Sequence, residues 1–95
     1  MPADLAEKTG RYEQMLADAL AAVEPTAPLE TPLGEAAAAC AEMAGSYLDD
    51  GRHFQTEGDP VNALAAFAYG HGWLDCGVRT GLFSVPEESA HLFTT

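Results

Sequence analysis

The chain has 95 residues, of which 47% are hydrophobic, and its 15 acidic and 4 basic side chains give a formal net charge of −11. This length predicts a single domain, and the hydrophobic content is too high for a disordered chain. So acidic a surface repels phosphate backbones and anionic lipids, which disfavours nucleic-acid and membrane partners. Alanine is abundant and isoleucine is absent, so the composition favours an all-α fold.

The sequence also suggests the cellular compartment of the protein. A large acidic excess with a single lysine, Lys8, is typical of proteins from a salt-rich cytoplasm, because salt screens the repulsion. The first residues lack the basic start and apolar run of a secretion signal, so we expect a cytoplasmic protein. No segment approaches the roughly 20 apolar residues that span a bilayer. Cys40 and Cys76 fall on different predicted helices and are expected to be reduced thiols, although a disulfide remains geometrically open.

The first helix is predicted over residues 5–23. It begins after Asp4, which forms a capping-box pattern with Glu7, and Gly10 weakens its first half. Apolar side chains then recur at three- and four-residue steps, the pattern of an amphipathic helix. They are Leu5, Tyr12, Met15, Leu16, Ala19, Leu20 and Val23.

A proline-containing linker follows. Pro25 and Pro28 disfavour a helix over residues 24–30 and favour extended backbone. About eight extended residues span roughly 25 Å, which is long enough for the linker to run along the bundle. We interpret the Pro-x-x-Pro spacing as a stiff connector, because a recognition motif needs an exposed run with basic flanks.

The second helix is predicted over residues 32–57. It begins with Thr31 as N-cap and Pro32 at the first helical position, and Gly58 supplies the left-handed residue that ends it. A seven-residue repeat of apolar and small side chains predicts its packing seam. The seam comprises Leu33, Ala37, Cys40, Ala44, Tyr47, Gly51 and Phe54.

The third helix is predicted over residues 60–80. Asp59 and Pro60 repeat the cap-and-proline pattern, and the short connection requires an antiparallel hairpin with the second helix. Gly81 ends the helix, with Leu82 placed to fold back in a Schellman-type contact. The domain is thus residues 1–83, and residues 84–95 are a tail that could contain one helical turn and whose Leu92 and Phe93 could dock on the bundle.

The third helix is apolar on nearly all sides. Tyr69, Trp73 and Cys76 lie on one side, which carries more apolar surface than a lone bundle should expose, and we predict an interaction surface there. The opposite side is predicted to build the core with Leu64, Phe67, His71, Leu74 and Val78.

Three glycines fall inside the third helix. Gly70, Gly72 and Gly77 each cost about 1 kcal/mol relative to alanine. A compensating gain is expected, and close packing of backbones is the most common one.

A weaker candidate site uses side chains that can bind metals. His71 and Asp75 are four residues apart on the third helix, and His53 could join them from the second. A structural zinc site needs four ligands at recurring close spacings, and those spacings are missing, so no metal and no cofactor are expected. We favour a buried histidine hydrogen-bonded to its aspartate. No nucleophile has an adjacent base, so catalysis is unsupported and no catalytic residue is assigned.

Most of the chain resembles a known family. From Arg11 to Phe83 it looks like the short archaeal proteins of "domain of unknown function 357", most clearly in the run VNALAAFAYGHGWLD at residues 61–75. The resemblance implies a three-helix bundle of the albumin-binding-domain-like type in an archaeal cytoplasm. It implies no activity, because the family has none established. Residues 47–70 also resemble a single tetratricopeptide repeat, which indicates a tight helical hairpin and not peptide binding.

These patterns predict a small cytoplasmic three-helix bundle that acts as a protein–protein interaction or assembly module. The expected partner is another protein or a second copy of the chain, bound through Tyr69, Trp73 and Cys76. The alternative is a domain that binds a small molecule or a metal, or that has enzymatic activity, using His53, His71 and Asp75.

Overall fold

The structure is a computed structural model, and it describes residues 4–93. It contains three long helices, α1 (Leu5–Ala22), α2 (Pro32–Thr56) and α3 (Pro60–Arg79). They form an all-α bundle in which α2 and α3 pack closely against each other, as predicted. Each helix begins at the expected residue and ends one residue earlier than expected. Gly10 lies within α1 without interrupting it.

Each long helix begins at a side-chain cap. Asp4, Thr31 and Asp59 accept hydrogen bonds from the backbone N–H groups three residues ahead, at 3.0, 3.1 and 3.1 Å. Pro32 and Pro60 follow the second and third caps at the first helical position, where a missing N–H group costs nothing. Local chemistry therefore sets the three starting points.

Glycines end α2 and α3. Gly58 and Gly81 have φ values of +74° and +83°, a region that favours glycine. After α3, the N–H of Leu82 donates to the carbonyl oxygen of Gly77 at 2.8 Å, and the N–H of Gly81 donates to that of Val78 at 3.2 Å. This pair of bonds is the Schellman motif that the sequence predicts.

The linker is fastened to the end of α3. Glu24–Pro25 (β1) and Phe83–Ser84 (β2) form a two-residue antiparallel pair, which the sequence did not predict. Beside it, the hydroxyl of Thr26 donates to the carbonyl oxygen of Gly81 at 2.6 Å, and its backbone N–H donates to that of Leu82 at 3.0 Å. We call this contact the clasp.

Part of the predicted tail belongs to the bundle. Glu87–Leu92 forms a short 3₁₀ helix that packs against α1, and Phe93 is buried in the core. Residues 1–3 of the predicted domain and residues 94–95 of the predicted tail lie outside the described residues.

The predicted core face of α3 needs correction. Phe67 and Leu74 are buried as expected, but Leu64, His71 and Val78 are only half-buried. The buried residues of α3 are Ala63, Ala66, Phe67, Gly70, Leu74 and Gly77.

The buried side of α3 is thus rotated from the predicted side towards small residues, and close contacts explain why. A Cβ on Gly70 would lie 2.9 Å from Cβ of Tyr47 and 3.3 Å from the carbonyl oxygen of Ala44, so α2 and α3 approach closely there. A Cβ on Gly51 of α2 would overlap the ring of Phe67. Small residues therefore face the partner helix, and three of the larger side chains lie at the edge of the contact.

The predicted seam of α2 and the predicted stripe of α1 also need correction. Leu33 is exposed, because its neighbour Gly34 faces inward, where a Cβ would overlap the carbonyl group of Pro28 in the linker. Thr9 of α1 is buried although the predicted stripe did not include it, and it lies on the same side of the helix, seven residues before Leu16. Its hydroxyl donates to the carbonyl oxygen of Leu5 at 2.6 Å, so the buried polar group has a partner.

Among the described residues, no helix has both the length and the hydropathy that a membrane crossing requires.

Candidate functional site

The predicted interaction residues lie together on the solvent side of α3. Tyr69, Trp73 and Cys76 line one shallow hollow of about 280 Å³, together with Ala68 and Gly72. We call these five residues the outer face. The side chain of Tyr69 is 58% exposed, which is unusual for a large aromatic residue in the middle of a helix.

The aromatic rings of the outer face support one another. The ring of Tyr69 meets that of Trp73 edge-on, with centroids 6.5 Å apart, because residues four apart are neighbours on a helix. Tyr47 of α2 meets Tyr69 from the other side, also edge-on, at 4.7 Å. Edge-to-face pairs are a favoured aromatic geometry, so these contacts hold Tyr69 in place without covering it.

The outer face contains no Asp, Glu, Lys or Arg. Of the 15 acidic residues in the chain, α3 contains only Asp75, and that carboxylate is directed towards His71. Arg79, in the last turn, is the single basic residue of the helix. A neutral helix surface is exceptional on a chain with a net charge of −11.

Gly72 lies in the middle of the outer face. A Cβ placed on it would have no heavy atom within 4 Å. Its cost of about 1 kcal/mol relative to alanine is therefore not offset by a close contact among the described residues. We expected from the sequence that Gly70, Gly72 and Gly77 would each make a close contact. The structure shows such a contact for Gly70 and Gly77.

His71 and Asp75 form the pair that the sequence favours. Nδ1 of His71 lies 3.2 Å from Oδ2 of Asp75, and the two side chains are 13% and 24% exposed. An ionised carboxylate only accepts hydrogen bonds, so Nδ1 carries the donated proton and Nε2 of a neutral imidazole is an acceptor. Nε2 is buried and has no hydrogen-bond partner among the described residues.

A cavity of about 300 Å³ lies beside this pair, between α1, α3 and the C-terminal segment. The ring of Phe93 lies 5.8 Å from the imidazole of His71, centroid to centroid. Most of the lining is apolar, with a few polar groups. The lining residues are Tyr12, Met15, Phe67, Ala68, His71, Asp75, His91, Leu92 and Phe93. A mainly apolar wall with a few polar groups is typical of small-molecule sites, and this volume is at their lower limit.

The third residue of the alternative site lies elsewhere. His53 is exposed near the end of α2, where its ring meets that of Phe54 at 6.0 Å. Within residues 4–93, no three His, Cys, Asp or Glu side chains are grouped so that they could hold a metal ion. The structure therefore brings His71 to Asp75 but does not bring His53 to either of them.

Comparison with known proteins supports the family resemblance. Residues 11–83 match the family described as "Protein of unknown function (DUF357)". The chain belongs to the DUF357 family. No curated protein and no solved structure matches it. The family's description assigns no activity, and the archaeal origin that the sequence suggests stays a prediction.

The two cysteines of this DUF357 domain lie on α2 and α3, the two helices that pack most closely. Cys40 of α2 is half-buried, Cys76 of α3 is exposed, and both are free thiols. Burial raises the pKa of the Cys40 thiol, and negative charge on Cys76 raises the pKa further.

Proposed function

We propose that this DUF357 domain is an interaction module that pairs with a second copy of itself through the outer face of α3. The observation that carries the proposal is the exposed ring of Tyr69, beside the half-buried Trp73, on a surface without Asp, Glu, Lys or Arg. Tyr69 and Trp73 offer the side chains that most often dominate the binding energy of protein interfaces. Their surroundings on α3 are alanine, glycine and cysteine.

Charge favours a second copy as the partner. Two chains of net charge −11 repel each other over most orientations. An arrangement that joins the two outer faces brings no carboxylate of one face against a carboxylate of the other. A basic partner would gain more by binding the acidic surfaces of α1 and α2. The neutral face thus suits a two-fold symmetric contact, in which the same patch is used on both subunits.

The shape of the face supports the same arrangement. Gly72 lies beside the Tyr69–Trp73 pair and leaves open space on the surface of the helix. A second α3 could cross there at close range, because small residues let backbones approach. The two aromatic rings beside Gly72 would then pack into the hollow of the partner.

The test is the mass of the protein in solution, measured by light scattering over a range of concentrations in high salt. We expect the wild-type protein to form a dimer and Trp73→Glu to be a folded monomer, because the substitution buries a charge in the interface. Tyr69→Glu should act in the same way. Circular dichroism reports whether each variant keeps its helices.

The matched control is Leu29→Glu, which adds the same charge at a similarly exposed position, 61% against 58% for Tyr69, in the linker. It should leave the mass unchanged. A wild-type protein that stays monomeric at millimolar concentration, or a Trp73→Glu variant that remains a dimer, would remove the proposal.

A second candidate function is small-molecule binding at the cavity beside His71. The observation that favours it is the buried Nε2 atom, which has no partner among the described residues. A fitting ligand has an apolar body for Met15, Phe67 and Phe93 and a hydroxyl group that donates to Nε2 once the Phe93 ring moves aside.

Chemical-shift mapping with phenol and with benzene tests this second function. We expect phenol to shift signals around His71 at lower concentration than benzene does, and His71→Phe to abolish the difference. Equal affinity for the two compounds, or no binding of either, would rule the site out.

A further inference from the structure

The tyrosine pair that joins α2 to α3 also fixes the relative position of the cysteines. Tyr47 and Tyr69 meet at 4.7 Å. Cys40 lies seven residues before Tyr47, and Cys76 lies seven residues after Tyr69. Positions seven apart occupy the same side of a helix two turns along. In an antiparallel hairpin, Cys40 and Cys76 therefore face each other two turns away from the tyrosine pair.

Two further observations agree with this register. The helices approach closely between the two pairs, since a Cβ on Gly70 would lie 3.3 Å from the carbonyl oxygen of Ala44. A close approach is required, because the Cα atoms of a disulfide are usually within about 7 Å of each other. In addition, negative charge on Cys76 raises the pKa of Cys40, which agrees with this placement.

We propose that Cys40 and Cys76 form a redox-active dithiol, which closes to a disulfide between α2 and α3 when a peroxide is present. The exposed Cys76 thiolate attacks one oxygen of the peroxide and becomes a sulfenic acid. The O–O bond breaks, and the hydroxide that leaves takes up a proton as water. The Cys40 thiolate then attacks the sulfur of Cys76, the S–S bond forms, and hydroxide leaves and takes up a proton as water. Overall, the two thiols lose two electrons and two protons, and hydrogen peroxide is reduced to two molecules of water.

The different surroundings of the two sulfur atoms assign their roles. In the unpaired chain Cys76 is exposed, so peroxide reaches it first, whereas Cys40 is half-buried. Burial and the negative charge on Cys76 both raise the pKa of Cys40. A sulfenic acid carries no such charge, so the first step removes one of the two causes and increases the thiolate fraction of Cys40 for the second step.

The first experiment follows the thiols. Wild-type protein treated with hydrogen peroxide should lose both free thiols without forming a disulfide-linked dimer, and the intact mass of its chain should be lower by two hydrogen atoms. Cys40→Ser should give only the Cys76 sulfenic acid or a Cys76-linked dimer. Cys76→Ser should retain its thiol under conditions that fully oxidise the wild type. Two remaining thiols in the wild type, or a Cys76-linked dimer with Cys40 still free, would overturn the proposal.

The second experiment uses the wild-type chain alone. Disulfide formation is measured at equilibrium in mixtures of reduced and oxidised glutathione, first for the folded protein and then in urea. If the helices hold the sulfur atoms together, the effective concentration of the two thiols should be at least about tenfold higher in the folded protein. An equal or lower value would show that the fold keeps the thiols apart and would overturn the proposal.

Discussion

The two sides of α3 differ in whether their aromatic ring is buried or exposed. The surroundings of the nearby small residues explain the difference. The inner face, defined by Ala63, Phe67, Gly70, Leu74 and Gly77, is buried against the rest of the bundle. The outer face has a similar composition of aromatic and small residues, yet Tyr69 remains 58% exposed. Composition alone does not distinguish the two faces. What differs is whether a neighbouring element approaches the small residues.

The space around each glycine shows the same difference between the two faces. A Cβ on Gly70 would press against Tyr47, Leu16 and Ala44, and one on Gly77 would overlap the ring of Phe83. A Cβ on Gly72 would meet nothing within 4 Å. The inner glycines are thus required by close packing within the domain. The outer glycine has no such role among the described residues, which is what a surface that binds a further helix would show.

Removing an aromatic ring from each face should give the largest contrast in stability. We expect Phe67→Ala to lower the free energy of unfolding by about 3–5 kcal/mol, because it leaves a cavity in the core. Tyr69→Ala should cost less than about 1 kcal/mol, since its ring is mostly exposed. Urea denaturation at low protein concentration, where self-association does not contribute, measures both values. Similar losses for the two variants would contradict the assignment of the faces.

Adding one methyl group to a glycine of each face should give a smaller contrast, of opposite sign. Gly70→Ala should destabilise the domain by about 1–3 kcal/mol, because its Cβ has no room. Gly72→Ala should stabilise it by up to about 1 kcal/mol, because alanine is the better helix former and its Cβ meets open space. Melting temperatures of the two variants at low concentration test this. A Gly72→Ala variant that is less stable than the wild type would mean that the outer face is already covered within the domain.

The helix boundaries could be predicted because local chemistry determines them. The Thr31–Pro32 and Asp59–Pro60 pairs each place a hydrogen-bond acceptor and a proline where a helix can start. Gly58 and Gly81 adopt the left-handed conformation that ends one. These signals act within a few residues, so the chain shows them without a tertiary structure.

The core face of α3 could not be predicted fully because it depends on two helices at once. Large apolar side chains indicate Leu64 and Val78, but the closest approach of α2 is set where small residues of both helices coincide. Gly51 accommodates the ring of Phe67, and Gly70 lies against Ala44. Helical periodicity shows which apolar side chains share one side of a helix. It does not show where the small residues of two helices meet.

The candidate sites also differ in whether they could be predicted from the sequence. The outer face could be proposed from α3 alone, since its residues share one helix. The cavity beside His71 could not, because Phe93 and its neighbours come from a segment that the sequence treats as a tail. The pairing of Cys40 with Cys76 needs the register of the α2–α3 hairpin, which follows from the Tyr47–Tyr69 contact.

The clasp has a consequence for the order in which the chain folds. The hydroxyl of Thr26 and the carbonyl group of Gly81 that it meets are 55 residues apart, and the whole α2–α3 hairpin lies between them. A hairpin with so short a connection closes quickly, whereas contacts between distant residues form later because more chain entropy must be lost first. We therefore expect the hairpin to nucleate folding, with α1 and the strand pair joining an existing scaffold. On partial unfolding they should be the first elements to exchange their amide protons.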